Sequence, residues 1–529
     1  MSSRAGTRAL AVHDWIVRWR WPLFAVLTTH LVLAHYFVLG FDTWDGFTYR
    51  IPPVVELVQH GAYNHDKFDS WVLHAFRPFL ELANAPFLWL FGQDGLYLAF
   101  PLTLYPLCTA FIYLFGRELT RSRTTALYTS AVYISLPLVN AQIFSGHVDW
   151  AIPALVGFFL YALLALRRPA DTESALRRYG RVALATFLFT NARQQALYLA
   201  VVIFVVMSAT SFVERSGRSF SLKDRKTLGI AALVTAVALS PQAFVHISNA
   251  LHHGSPLYPY EFRLLGVKLG DGFPMKDLFI IGGLPEYSLR GFLQATVAAY
   301  FVPAKWPYTF FDGRNFGDSI FVMAALLGLP FTWRRANRDT RVLLVLLLAL
   351  SIAAKDFWQP RYAYGVILGS CLLNGIAVSA LLEVRTLAPI YAAAVVVLAL
   401  HALRPEWDSW RMSEGDSYPR MNCSASKLWQ KGNYDIPLFP DLGAHFLIIK
   451  KPGNEFTLPL YGRKLSNTIV TSFLEDDVGP SCSKLRRWTD HDPKILLIDD
   501  EDLTKSCKRT CIVDHGWRCG AWRLEPESR

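Results

Sequence analysis

The chain has 529 residues, of which 52% are hydrophobic, 14% aromatic and only 18% charged, and its mean hydropathy is +0.25. So little charge does not suit the wetted surface of a soluble domain, and the composition points to a membrane protein. The net charge of +11 does not indicate nucleic acid, because the Lys and Arg cluster between apolar runs, as they do in loops on the inner face of a membrane.

A membrane helix takes about 20 mostly apolar residues. In chain order, runs that meet or approach this length occupy 21–40, 96–116, 124–143, 150–166, 182–213, 227–247, 318–333, 341–354, 361–382 and 386–403. The first follows Arg18 and Arg20 and has no small-residue cleavage site, which predicts a retained first helix and not a signal peptide. Arg4, Arg8, Arg18 and Arg20 place the N-terminus inside; Arg117, Arg121 and Arg123 mark one inner loop, and Arg167, Arg168, Arg177, Arg178 and Arg181 the next. The run 182–213 then has basic clusters on both sides and is interrupted by "TNARQQ". A hairpin of two short helices, turning at Asn191 to Gln195, satisfies both observations, since polar backbone at that depth needs protein or water around it. Counting it as two passes predicts about eleven passes, with Arg334, Arg335, Arg338 and Arg341 inside and everything from Pro405 outside.

Three outer stretches look irregular: 41–95, where "HAFRPFLELANAPFLWLFG" predicts an amphipathic or re-entrant helix; 248–317, rich in Gly and Pro; and "KDFWQPRY" at 355–362. The expected division is a transmembrane catalytic domain, 1–404, and a small mixed α/β domain, 405–529, in which "HFLIIK" and "KILLID" predict strands. Of seven cysteines, Cys108 and Cys371 fall in apolar runs, whereas Cys423, Cys482, Cys507, Cys511 and Cys519 all lie in the tail. That skew predicts an oxidising compartment and disulfides for the tail.

Several residues are candidates for chemistry. Asp42 and Asp45, just past the first apolar run, are either solvated acids and N-caps for a helix starting near Gly46, or one of them is a general base. Arg193, inside an apolar segment, either pins helices through a carboxylate or binds an anion. Arg50, Arg77, Lys355 and Arg361 are further outer cations, each by itself a snorkelling residue. In "SGHVDW", His147 and Asp149 offer a two-ligand metal pair, but an N-cap role for Asp149 at the next helix is preferred.

The stretch "WDGFTYRIPPVVELVQHGAY" resembles the first outer loop of the GT-C superfamily of membrane glycosyltransferases, in particular the bacterial branch similar to protein O-mannosyltransferases and the aminoarabinose transferase. "HHGSPLYPY" resembles that family's "GNPxYP" pattern, with Ser255 in place of Asn. "VDWAIPALVGFFLYALLAL" resembles its helix that begins with an acid; "NARQQALYLAV" lies where a Lys or Arg is common; "QPRYAYGVIL" resembles its entry to a late helix; "LPLYGRKLSNTIV" is similar to a stretch of its outer domain. The order of these motifs, over roughly 40–470, carries the resemblance. The paired Asp-Glu of the mannosyltransferases is absent, since Gly46 follows Asp45.

The resemblance implies a hexosyl or pentosyl transferase of the bacterial inner membrane. Its donor would be a polyprenyl-phosphate-linked sugar, its acceptor a lipid, glycan or protein. Asp45 would be the base with Asp42 second, Arg193 would bind the donor phosphate with Arg361 or Arg50, and Arg77, His147, Asp149, Gln194 and Tyr258 would line the cavity. No cofactor is demanded, although His147 and Asp149 leave a divalent metal open. The rival classes are a secondary transporter, against which the lack of an internal repeat speaks, and a non-catalytic lipid-binding or assembly protein of the membrane.

Overall fold

The computed structural model describes residues 2–34, 50–62, 79–144, 148–166, 175–193, 196, 199–203, 236, 239–251, 254–256, 261–264, 267–270, 272, 286, 288–301, 315–353 and 364–403, and in the tail 420–422, 435–437, 441–448, 464–471, 494–498, 509–514 and 519–524. The helices in chain order are α1 (Ser2–Ala34), α2 (Pro52–His60), α3 (Ala85–Phe91), α4 (Leu96–Leu102), α5 (Leu104–Thr120), α6 (Arg123–Ser135), α7 (Pro137–Gln142), α8 (Ile152–Ala165), α9 (Ala175–Ala192), α10 (Leu289–Phe301), α11 (Asn315–Arg335), α12 (Arg338–Ala353), α13 (Tyr364–Glu383) and α14 (Ala388–Leu403). The chain divides into two compact units. One takes Met1–Leu31, Pro101–Ile143 and Val148–Arg411; the other takes Val32–Phe100, Phe144–His147 and Met412–Arg529.

The first unit is helical, and the apolar runs that fall on described residues are helical, with 96–116 split between α4 and α5 and 124–143 between α6 and α7. Its outside is greasy: Leu326, Leu327, Val345, Leu348, Ile390, Val396 and Leu400 are all exposed. Apolar side chains turned outward on this scale suit hydrocarbon and not water. The stretches Glu81–Thr120 and Tyr364–Glu383 are long and apolar enough to cross a membrane, and Asp149–Ala165 and Pro389–Leu400 are shorter apolar helices. Inside, hydroxyls are satisfied within their own helices: Thr129 Oγ1 donates to Thr125 O at 2.8 Å, Ser130 Oγ to Ala126 O at 3.1 Å and Ser135 Oγ to Ala131 O at 2.6 Å. Between helices, Phe111 and Phe158 stack at 3.9 Å, and Asn374 Nδ2 donates to Phe321 O at 2.8 Å.

Two of the basic clusters, around Arg117–Arg123 and Arg334–Arg341, come together. Asn337 Nδ2, between α11 and α12, donates to Leu119 O at the C-terminus of α5 at 2.8 Å, and Arg335 reaches Glu383 at 2.6 Å. Near α1's start, His13 Nδ1 lies 3.0 Å from the Tyr128 hydroxyl, which bonds the Tyr391 hydroxyl in turn. Burial lowers the His13 pKa below the ordinary histidine value, and the Asp14 charge works the other way.

Two expectations need correction. The stretch 248–317 is not simply irregular: it holds a β-hairpin, β1 (Phe262–Leu264) with β2 (Val267–Gly270), and the helix α10. Thirteen residues are too few for a crossing, but Leu289, Leu293 and Val297 form an exposed stripe at helical spacing. In addition, α9 begins at Ala175 and includes Arg177, Arg178 and Arg181, because a helix started in hydrocarbon loses nothing by continuing into water. It ends at Ala192, where the turn was expected; of the proposed return, 196–213, Ala196 and residues 199–203 are helical, and 204–213 lie outside the described residues.

In the second unit, Pro52 and Pro53 start α2 where backbone N–H groups lack partners anyway, and Gly61, at φ 68°, ends it with its N–H on Leu57 O at 2.9 Å. Gln59 Nε2 donates to both Leu465 O and Asn467 O at 2.7 Å. The buried Asn467 also accepts from Leu442 N at 2.9 Å and Ala444 N at 3.3 Å. Asn467 leads into the sheet of the tail, with β5 (His445–Ile448), β6 (Thr468–Thr471), β7 (Ile495–Ile498), β8 (Arg509–Asp514) and β9 (Cys519–Leu524) in the order β6-β5-β7-β9-β8. A separate parallel pair joins β3 (Arg420–Asn422) and β4 (Asp435–Pro437). The two expected strands, "HFLI" and "ILLI", lie side by side and parallel, and Cys511 is disulfide-bonded. Cys108 and Cys371 are buried free thiols. In the expected amphipathic stretch, Trp89, Leu90 and Phe91 are exposed while Glu81, Asn84 and Leu88 are buried.

The contact of α6 with α13 gives a stability test. A Cβ on Gly375 would lie 2.2 Å from Thr129 Oγ1 and 2.7 Å from Thr129 N, whereas one on Gly369 would meet only Leu344 Cδ2 at 3.7 Å. Gly375→Ala is expected to cost about 1–3 kcal/mol by overpacking. Gly369→Ala is expected to be neutral or to stabilise by up to about 1 kcal/mol through helix propensity. Unfolding in detergent measures both, and equal effects would contradict the packing.

Candidate functional site

Trp150, just before α8, is tightly held. Gln142 Oε1 accepts from Trp150 N at 3.0 Å, and the Tyr133 hydroxyl donates to Trp150 O at 2.8 Å. The Trp150 ring is fully buried and meets the Tyr105 ring edge-on at 6.3 Å. With both polar backbone groups of Trp150 bonded by side chains, the preceding Asp149 is fixed in a single-turn 3-10 element, Asp149–Ala151, that leads directly into α8.

Next to α8 runs α9, where apolar residues alternate with side chains that bond the turn before them: Thr186 Oγ1 to Val182 O at 2.8 Å, Thr190 Oγ1 to Thr186 O at 2.8 Å and Asn191 Nδ2 to Phe187 O at 2.7 Å. The helix stops at Ala192, and Ala196 N turns back onto Arg193 O at 3.0 Å. Arg193 therefore stands at a helix C-terminus, where the backbone dipole favours a cation. Its Nη2 forms an ion pair with Asp149 Oδ1, with the two side chains 5% and 0% exposed. A charge taken out of water costs several kcal/mol unless it is paired, so each of these residues needs the other.

The same helical unit holds buried polar groups that the sequence did not single out. Asn140 is 1% exposed, and neither amide atom has a hydrogen-bond partner among the described residues; the buried Tyr105 hydroxyl has none either. Buried polar groups are nearly always bonded, so each of these marks a place for water or ligand.

Of the residues singled out from the sequence, Arg193 and Asp149 are brought together. The N-cap positions of the 3-10 turn and of α8 are Val148 and Ala151; Asp149 is the first residue of that 3-10 turn, and its carboxylate pairs with Arg193. Arg50 belongs to the other unit, where it pairs with Glu81 at 2.5 Å, both side chains being 4% exposed or less. The signal for Glu81 was available in the sequence, as an acid in an amphipathic stretch at a buried position. Glu56 of α2 is also buried, with His60 Nε2 at 3.7 Å. Asp42, Asp45, Arg77, His147, Gln194, Tyr258, Lys355 and Arg361 lie outside the described residues. Among the described residues no three His, Cys, Asp or Glu side chains gather as metal ligands.

No protein-family profile matches the chain, and no curated protein matches it. Among solved structures it is similar to an oligosaccharyltransferase from Archaeoglobus fulgidus in complex with zinc and sulfate, with 15% identity over 90% of this chain and 68% of that one and a TM-score of 0.47. It is also similar to ArnT from Cupriavidus metallidurans bound to undecaprenyl phosphate, with 12% identity over 95% of this chain and 97% of that one and a TM-score of 0.43.

The ion pair predicts a non-additive cycle. Arg193→Leu and Asp149→Leu should each destabilise by about 3–5 kcal/mol, because each strands a buried charge, while the double variant should recover most of that loss. Unfolding of the four proteins in detergent measures the coupling, and additive losses would show that the pair is not a unit.

Proposed function

We propose that this chain is a membrane glycosyltransferase that moves a sugar from a polyprenyl-phosphate donor to a lipid, glycan or protein acceptor on the outer face of the bacterial inner membrane. One observation carries the reading: "VDWAIPALVGFF" and "TNARQQ", stretches that resemble two separate motifs of the GT-C superfamily, meet in the buried ion pair of Asp149 with Arg193. A structural pin could have formed anywhere along these two helices. This one formed at the end away from the basic loop between α8 and α9, which is the outer end if basic loops lie inside.

The chemistry requires two things. A base takes the proton from the acceptor hydroxyl as its oxygen attacks the anomeric carbon, and the bond from that carbon to the donor phosphate breaks, leaving added negative charge on the polyprenyl phosphate. Cationic groups must meet that charge as it develops. Asp45 is assigned as the base with Asp42 second, and Arg193 as the phosphate ligand with Arg361 or Arg50. Asp149 is then the positioning residue that fixes the guanidinium plane, the geometry on which a bidentate grip on phosphate depends. Arg50 is oriented in the same manner by Glu81. Because guanidinium groups meet the phosphate charge, the scheme itself calls for no divalent cation. Arg77, His147, Gln194 and Tyr258 complete the proposed cavity. The disulfide at Cys511 supports a tail on the oxidising, outer side.

Asp45→Asn is expected to lower transfer by about two to four orders of magnitude while leaving donor binding intact. Transfer from polyprenyl-phosphate sugars at an undiminished rate by the folded variant would end its assignment as base. The Asp149→Leu/Arg193→Leu protein, in which no charge is stranded, should fold and yet bind the donor lipid at least about tenfold more weakly. Wild-type affinity in that variant would move the phosphate site elsewhere.

A further inference from the structure

The helical stretch 239–251, just before "GSPLYPY", reverses the usual order of polarity. Gln242, Val245 and Asn249 are 5%, 6% and 1% exposed and His246 is half-buried, whereas Phe244, Ile247 and Leu251 are 66%, 59% and 78% exposed. Positions 242, 245, 246 and 249 form one face of a helix and 244, 247 and 251 the other. Apolar side chains therefore face outward and polar ones inward, the arrangement of a helix that shows lipid its greasy side and lines a polar interior with the other.

The chemistry of that inner face is specific. His246 Nδ1 lies 2.7 Å from Pro256 O. A carbonyl only accepts, so Nδ1 carries the hydrogen, and in the neutral ring Nε2 is left as an acceptor. His246 Nε2 and Gln242 Oε1 are both buried, and neither has a partner among the described residues. The seat of the ring is firm. Gly254, at φ 66°, donates its N–H to Ala250 O at 3.1 Å, and Ser255 packs on β2 so closely that a Cβ on Gly270 would lie 2.5 Å from Ser255 Oγ.

Two acceptors one helical turn apart call for a ligand that donates. A phosphate diester only accepts, and a polyprenyl chain does neither. A sugar ring offers several hydroxyl donors. We propose that Gln242 and His246 form a carbohydrate-recognising subsite that accepts hydrogen bonds from sugar hydroxyls, with Pro256 setting the histidine tautomer. Resting on the transferase reading above, this adds to it the residues that read the sugar and separates them from those that hold the phosphate.

The experiment compares binding of sugar-free undecaprenyl phosphate with undecaprenyl phosphate carrying mannose, glucose, galactose or arabinose, in purified wild type, Gln242→Leu, His246→Leu and the lipid-facing control Ile247→Leu. The wild type is expected to prefer at least one sugar-bearing lipid to the sugar-free one. Gln242→Leu and His246→Leu should each weaken that lipid by about tenfold, leave the sugar-free lipid within twofold and keep the wild-type unfolding temperature; Ile247→Leu should change neither. An equal loss for both kinds of lipid, no loss for either, or a wild type that does not distinguish sugar-bearing from sugar-free lipid overturns the subsite and leaves the transferase reading standing. A wild type that binds no polyprenyl phosphate overturns the transferase reading, and the subsite with it.

Discussion

A charge inside a membrane protein must be neutralised where it stands, because water is not there to do it. Asp149 and Arg193 satisfy that constraint for each other at the far end of the α8–α9 hairpin, with neither side chain more than 5% exposed. Much of the nearby structure supports the pairing: side chains bond both polar backbone groups of Trp150, and the hydroxyls of Thr186 and Thr190 and the Asn191 amide fold back along α9. The same constraint, met independently in the other unit, gives the Arg50–Glu81 pair. Two buried arginines with carboxylate partners are costly features for a protein to carry.

Polarity elsewhere in the helical unit is inverted relative to a soluble protein. Large apolar side chains such as Leu327 and Leu251 are 78% exposed, while Asn140, Gln242, Asn374 and Thr129 are buried. Most of the buried hydroxyls bond their own helix and are silent. Buried polar atoms without a partner among the described residues include the Asn140 amide, the Tyr105 hydroxyl, Gln242 Oε1 and His246 Nε2, and they are informative because a dry interior has few reasons to strand a polar atom. Their orphaned atoms mark where the interior expects something other than itself.

In the second unit a single glutamine joins elements far apart in the chain. Gln59, in the helix that follows the candidate acids, bonds two carbonyls beside Asn467, and Asn467 organises the approach to β5 and β6. The stretch 50–62 and the tail thereby fall in the same compact unit.

Hydropathy and charge, which act locally, determined the helices: the apolar runs, the break at Arg193 and the strands "HFLI" and "ILLI" were all legible in the chain itself, although not that those strands would pair. So was the choice facing Arg193, between a carboxylate and an anion. The sequence by itself did not determine which carboxylate Arg193 would take, since Asp149 is 44 positions away and capping and pairing look alike until both helix ends are in space. Nor did it show that Arg50 would take Glu81, that α10 forms in a stretch rich in Gly and Pro, or that Gln242 and His246 turn inward. Those outcomes belong to the tertiary structure, because partner choice and the direction in which a polar face points depend on the low dielectric of the assembled interior, which exists only after the helices have packed.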